Sequence, residues 1–138
     1  MSYAGDITPQ QAWELLEQYP DATLVDVRTE PEWAYVGVPD LTGLGKRTLL
    51  VEWVRYGGAP NPSFTEQLER ADVTGGDDAP VIFLCRSGHR SIGAAEAATA
   101  AGIAPSYNVL DGFEGGLDEH GHRGAQGWRA LGLPWQQS

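Results

Sequence analysis

A chain of 138 residues that is 41% hydrophobic has enough apolar material for one compact core and too little length for two. Nineteen acidic against nine basic residues give a formal charge of -10, which repels phosphate backbones and anionic membranes and argues against nucleic acid as a partner. No apolar run approaches the roughly 18 to 20 residues of a membrane span, and "MSYAGDITPQ" has no basic segment followed by an apolar one; the expectation is one domain over 1–138 in the cytoplasm.

In chain order, "ITPQQAWELLEQYP" predicts a helix from Pro9 to about Gln18, capped by Thr8, with Ala12, Leu15, Leu16 and Tyr19 at helical spacing. Ala22 to Arg28 is a β-branched, apolar run that predicts a buried strand, and Thr29 caps a short helix ending near Gly37. "KRTLLVEWV" predicts a second strand, "RYGGAPNPS" a loop, and "SFTEQLERAD" a helix capped by Ser63. "VIFLC" predicts a strand buried on both faces. "RSIGAAEAATAAG" predicts a helix ending at Gly102, "SYNVLDG" a further strand, and the glycine-rich tail a helical turn near Trp128 to Leu131. Strands that alternate with helices imply an α/β layered fold, with a short, mostly parallel sheet flanked by helices on both faces and its site at the carboxyl ends of the strands.

Cys85, the one cysteine in the chain, stands at such an end. It cannot form an internal disulfide. Arg86, Ser87, Gly88, His89, Arg90 and Ser91 follow it, a segment whose backbone N–H groups can curl around an anion at the start of a helix. A buried free cysteine is usually a small hydrophobe, but cations and a helix N-terminus bring reactive thiols from about 8.5 down to roughly 3.5 to 7.5, so this one is expected to be an ionised nucleophile. Two reaction classes use a cysteine cradled in this way: sulfur transfer through a persulfide and phosphate ester hydrolysis. Cysteine phosphatases place five residues between the cysteine and a clamping arginine. Here Arg90 comes one position early, and the shorter loop suits a single sulfur atom.

These segments together resemble the rhodanese family of sulfurtransferases, and in particular its single-domain members. "ITPQQAWELL" resembles the opening helix, "TLVDVRTEPEWAYVG" the first block, "VIFLCRSGHRSIGAA" the active-site loop, and "YNVLDGFEG" with "GW" and "GLPW" the closing part. The resemblance implies that Cys85 carries the persulfide and that Arg86 to Ser91 bind the donor and face the sulfur. It also implies that Asp26, Arg28 and Glu32 are structural neighbours of the site, with an Arg28 to Glu32 ion pair. It implies a small anionic donor such as thiosulfate, a thiol, cyanide or protein acceptor, and neither a metal nor an organic cofactor. After Gly37 the family usually reads His-Ile-Pro-Gly-Ala, whereas this chain reads "VPDLTGLGKRTLLVEWVRYGGAPNPSF", without a histidine.

Other residues admit two readings. Trp53 and Tyr56 are balanced between core packing and a substrate mouth. His120 and His122, with Asp118 and Glu119, form a solvated loop rather than a four-ligand metal centre. The alternatives to a turnover enzyme are a sulfur-relay or protein-binding module and, less favoured on loop length, a phosphatase or arsenate reductase of related fold.

Overall fold

The computed structural model of the chain describes residues 3–137, so Met1, Ser2 and Ser138 of the expected span lie outside the described residues. Five parallel strands form the central sheet, in the order β1 (Gly5–Ile7), β6 (Ser106–Val109), β5 (Val81–Leu84), β2 (Thr23–Asp26) and β4 (Leu49–Leu50). Helices α1 (Pro9–Gln18), α2 (Glu30–Tyr35), α3 (Phe64–Arg70) and α4 (Arg90–Ala100) connect them. The expected α/β layering is present, with apolar material on both faces of the sheet.

Side-chain alternation along the strands distributes two cores. Val81, Phe83 and Cys85 join Val25, Val27, Phe64, Leu68, Ala94 and Ala98 on the face of α3 and α4. Ile82 and Leu84 join Ala12, Leu16, Leu24, Phe113 and Trp128 on the opposite face. Cys85 therefore continues the row of Val81 and Phe83, and its side chain points to the face on which α4 begins. Buried alanines at 94, 95 and 98 form the inner face of α4. Helix α1 starts on a capping box: Gln11 N–H donates to Thr8 Oγ1 at 3.1 Å, and Thr8 N–H donates to Gln11 Oε1 at 2.9 Å.

Several elements differ from expectation. Strand β1 and a separate antiparallel pair, β3 (Val38–Pro39) with β7 (Trp135–Gln136), carry no periodicity because each is only two or three residues long. The strand expected over Lys46 to Val54 contracts to β4. Beyond it the chain folds back into a narrow hairpin, bridged at Val54 and Pro60. Around Trp128 the expected helical turn is a single one, closed by Leu131 N–H donating to Gly127 O at 3.1 Å. Trp128 is fully buried and donates its Nε1–H to Pro134 O at 2.7 Å. Among the described residues no helix is long and apolar enough to cross a membrane.

Candidate active site

The loop from Cys85 to Arg90 leaves β5 and enters α4. Its shape is imposed by the segment after β6, where Phe113 N–H donates to Cys85 O at 2.8 Å and Glu114 N–H to Arg86 O at 2.9 Å. With these two carbonyls held on one side, the loop turns toward the sulfur. The contact is close enough to require glycine: Gly112 has φ +55°, and a Cβ there would sit 2.3 Å from Cys85 O. Gly88, at φ +96°, meets the same requirement inside the loop and donates its N–H to Cys85 Sγ at 3.2 Å.

A second polar group reaches the sulfur from the first turn of α4. Ser91 Oγ lies 3.2 Å from Cys85 Sγ and also donates to Asn108 Oδ1 on β6. Asn108 is fully buried, and its orientation is set by its amide hydrogens, which go to Gly88 O at 3.2 Å and Asp6 Oδ1 at 3.1 Å. Tyr3 donates its hydroxyl to the same Asp6 oxygen at 2.6 Å. Sequence reading missed this chain, because it joins Asp6 to Asn108, 102 residues later, through the β1–β6 pairing. Cys85 itself is 1% exposed.

The charged residues pair differently from expectation. Arg28 does not bind Glu32. It is fully buried and paired with Asp26 at 2.7 Å, donates to Gly37 O at 2.6 Å, and stacks 4.3 Å from the Phe113 ring centroid. Glu32 is instead the third residue of α2, where it accepts Thr29 N–H and the Thr29 hydroxyl. Across the site it holds Arg90 in a two-pronged pair at 2.8 and 2.9 Å. Burial pushes the Glu32 carboxyl up, but the hydrogen bonds from Arg90 and Thr29 and the Arg90 charge more than offset this and lower it to about 2. The same pair raises Arg90 further, mainly through its hydrogen bond to Glu32. Arg86 and His89 are exposed, and Ser87 is partly so.

An open cleft of about 590 Å³ reaches the loop at Arg86 and Arg90. Its other walls include Tyr56 with Gly57 and Gly58 from the hairpin after β4, and Arg123 from the C-terminal segment. Tyr56 thus belongs to the mouth. Trp53 is a packing residue, edge-on to Phe64 with ring centroids 5.0 Å apart. His120 and His122 are exposed, and their backbone N–H groups donate to Asp118 Oδ1. Among the described residues no cluster of three His, Cys, Asp or Glu side chains could hold a metal.

The model for the family described as STR4 middle domain matches residues 4–138. A crystal structure of Rv0390 from M. tuberculosis superposes with a TM-score of 0.91 at 62% identity, covering 99% of this chain and 100% of that one. An uncharacterised protein of Rickettsia conorii is 36% identical over 95% of this chain and 96% of its own length. The thiosulfate sulfurtransferase GlpE of Actinobacillus pleuropneumoniae is 30% identical over 94% of this chain and 90% of its own length. With a central parallel sheet, a cysteine at the carboxyl end of its middle strand and these relatives, the chain belongs to the rhodanese-like family, whose relatives include thiosulfate sulfurtransferases.

Proposed function

We propose that this protein is a sulfurtransferase that carries a sulfane sulfur on Cys85, taking it from thiosulfate or a similar donor and passing it to a thiophilic acceptor. The observation that carries the reading is the placement of Cys85 Sγ: one loop amide and one hydroxyl stand 3.2 Å away, in a loop whose Arg86 and Arg90 line an open cleft. The Cys85 thiolate attacks the outer sulfur of thiosulfate. The sulfur–sulfur bond of the donor breaks, sulfite leaves with its electron pair, and Cys85 becomes a persulfide. Cyanide or a thiol then attacks the outer sulfur and regenerates the thiolate. Gly88 N–H and the Ser91 hydroxyl hold the sulfur during both steps, and Arg86 draws in the anion.

A phosphate ester fits this geometry less well. Its clamping arginine is one position early in the sequence, and the Arg90 guanidinium is already occupied by both oxygens of Glu32.

Incubation with thiosulfate followed by intact mass measurement tests the reading. One added sulfur is expected, removed by cyanide as thiocyanate and absent in Cys85→Ser. An unchanged mass at saturating thiosulfate would exclude small-molecule sulfur transfer. Loading with negligible cyanide turnover would assign the chain to sulfur relay.

A further inference from the structure

Both groups that reach the sulfur are tied to one buried side chain. Gly88, whose N–H donates to Cys85 Sγ, accepts Asn108 Nδ2 on its carbonyl at 3.2 Å. Ser91, whose Oγ lies 3.2 Å from the sulfur, donates to Asn108 Oδ1. Asn108 is tied in turn to the protein surface. Strands β1 and β6 pair with Asp6 opposite Asn108, and Nδ2 also donates to Asp6 Oδ1 at 3.1 Å. Asp6 is exposed, yet its carboxylate is held: the Tyr3 hydroxyl donates to the same oxygen at 2.6 Å, and Tyr3 packs against the core on the face of α3 and α4. Asp6 raises Tyr3 above its ordinary value, chiefly through this hydrogen bond, so the hydroxyl keeps its proton.

The chemistry of an amide gives this chain a direction. With its Nδ2 hydrogens taken by Asp6 and Gly88 O, Asn108 has only its oxygen to offer Ser91. The bond to a carboxylate polarises the amide and makes Oδ1 a better acceptor. The Ser91 hydrogen is thereby drawn away from Cys85 Sγ. The other charges near the sulfur are Arg90, which interacts with the Cys85 charge but is paired with Glu32 and also feels Asp26, and the exposed Arg86 and His89 of the loop. Among the described residues none of these is hydrogen-bonded to Asn108.

We infer that Asp6 is a positioning residue for Cys85: acting through Asn108 it competes for the Ser91 hydroxyl hydrogen, which tempers the hold of that hydroxyl on the sulfur and keeps the sulfur basic and nucleophilic. Tyr3 fixes the carboxylate where it can do this. The inference rests on the sulfur-transfer reading for its kinetic consequence, and on the hydrogen-bond chain for its effect on the thiolate.

Thiolate formation and transfer are tested separately. Cys85 is the one cysteine, so the ultraviolet absorbance of its thiolate, taken as the difference from Cys85→Ser, follows it alone. In a pH titration, Asp6→Asn should move the midpoint of thiolate formation down by about 0.3 to 1 pH unit, the worth of part of one hydrogen bond. Tyr3→Phe should move it the same way by less. Removing a charge that acts through space would give the same sign, and Ser91→Ala separates the two causes. In that background Asp6→Asn should leave the midpoint unmoved, because no hydroxyl remains to redirect. Thiosulfate loading, followed by intact mass, should reach its plateau at a correspondingly lower pH in Asp6→Asn. Its plateau rate should be about 1.5- to 3-fold below the parent, since nucleophilicity falls with basicity. A midpoint unmoved or raised by Asp6→Asn, or a shift equal with and without the Ser91 hydroxyl, would overturn the positioning role. Midpoint shifts in the expected pattern without sulfur loading in any variant would overturn the transfer chemistry and leave the role of Asp6 standing.

Discussion

Ser91 Oγ stands 3.2 Å from Cys85 Sγ while it is hydrogen-bonded to Asn108 Oδ1, so a single hydroxyl hydrogen faces two acceptors. Asn108 cannot turn its amide to relieve the competition, because its Nδ2 hydrogens are held by Gly88 O and Asp6. Whether the hydrogen serves the sulfur thus depends on Asn108.

The first expectation follows from that competition. Ser91→Ala removes the hydroxyl from a sulfur that becomes charged, a hydrogen bond of about 1.5 to 3 kcal/mol, so persulfide loading from thiosulfate should slow by about tenfold or more. Asn108→Ala leaves the hydroxyl free to turn to sulfur and should slow loading less. The double variant should be no slower than Ser91→Ala alone, since Asn108 then has nothing to orient. Additive losses in stopped loading reactions analysed by mass would mean that Asn108 acts through Gly88.

The two loop arginines should separate. Arg86 is exposed and free of carboxylate partners among the described residues, so Arg86→Ala loses attraction for an anion: about 1 kcal/mol at 4 Å in water and about 4 at an effective dielectric of 20. Thiosulfate kcat/KM should drop by about tenfold or more, mainly through KM and more at low salt, with little change for an uncharged persulfide. Arg90 is spent on Glu32, and Arg90→Ala should impair charged and uncharged donors alike. The opposite pattern would exchange the two roles.

How far the sequence reveals this site depends on the range of the interactions. Strand β5, the loop and α4 are legible because a run apolar on both faces, a glycine and a run of helix formers each leave a local signal. The Arg28 to Glu32 pairing fails for a local reason too. Spacing of four implies contact only within a helix, and Arg28 precedes the cap of α2, so its side chain turns back to Asp26. The actual partner of Glu32 is 58 residues away, and that of Asn108 is 102 away, distances at which one sequence carries no pattern. The cleft was hidden for the same reason. Its arginines come from three segments, and "RYGGAPNPS" reads only as a loop.

Gly112 supports the loop from below, and its replacement should show how much of the site depends on that support. In Gly112→Ala the new Cβ would fall 2.3 Å from Cys85 O at a φ of +55°, so the backbone must move at Cys85, the proposed nucleophile. Stability in urea should fall by about 1 to 3 kcal/mol, and persulfide loading should fall with it even in the fraction that remains folded. Gly116→Ala has open space around the added carbon and is the matched control, expected to change stability by less than about 0.5 kcal/mol. Equal behaviour of the two variants would show that the loop does not rest on Gly112.

The Glu32–Arg90 pair makes stability depend on pH in a direction fixed by its depressed carboxyl. Glu32 titrates at about 2 in the folded protein against 4.5 for the free side chain, so between these values the unfolded chain binds the proton first and stability rises with pH. The contribution is complete above about pH 5 and is lost as pH falls through the window from about 4.5 to about 2. Since the pair is partly exposed to solvent, its worth is of order 1 to 3 kcal/mol. Glu32→Gln should therefore be less stable than the parent by that amount in urea unfolding at pH 7, with a gap that stays constant down to about pH 5 and closes below it. Arg90→Gln should show a gap of similar size at pH 7 and the same closure, because either change leaves the other group without its partner. Absence of a gap for Glu32→Gln at pH 7 would mean that Glu32 acts as the cap of α2 through Thr29, where a neutral amide oxygen serves as well, and that its charge on Arg90 adds nothing to the fold.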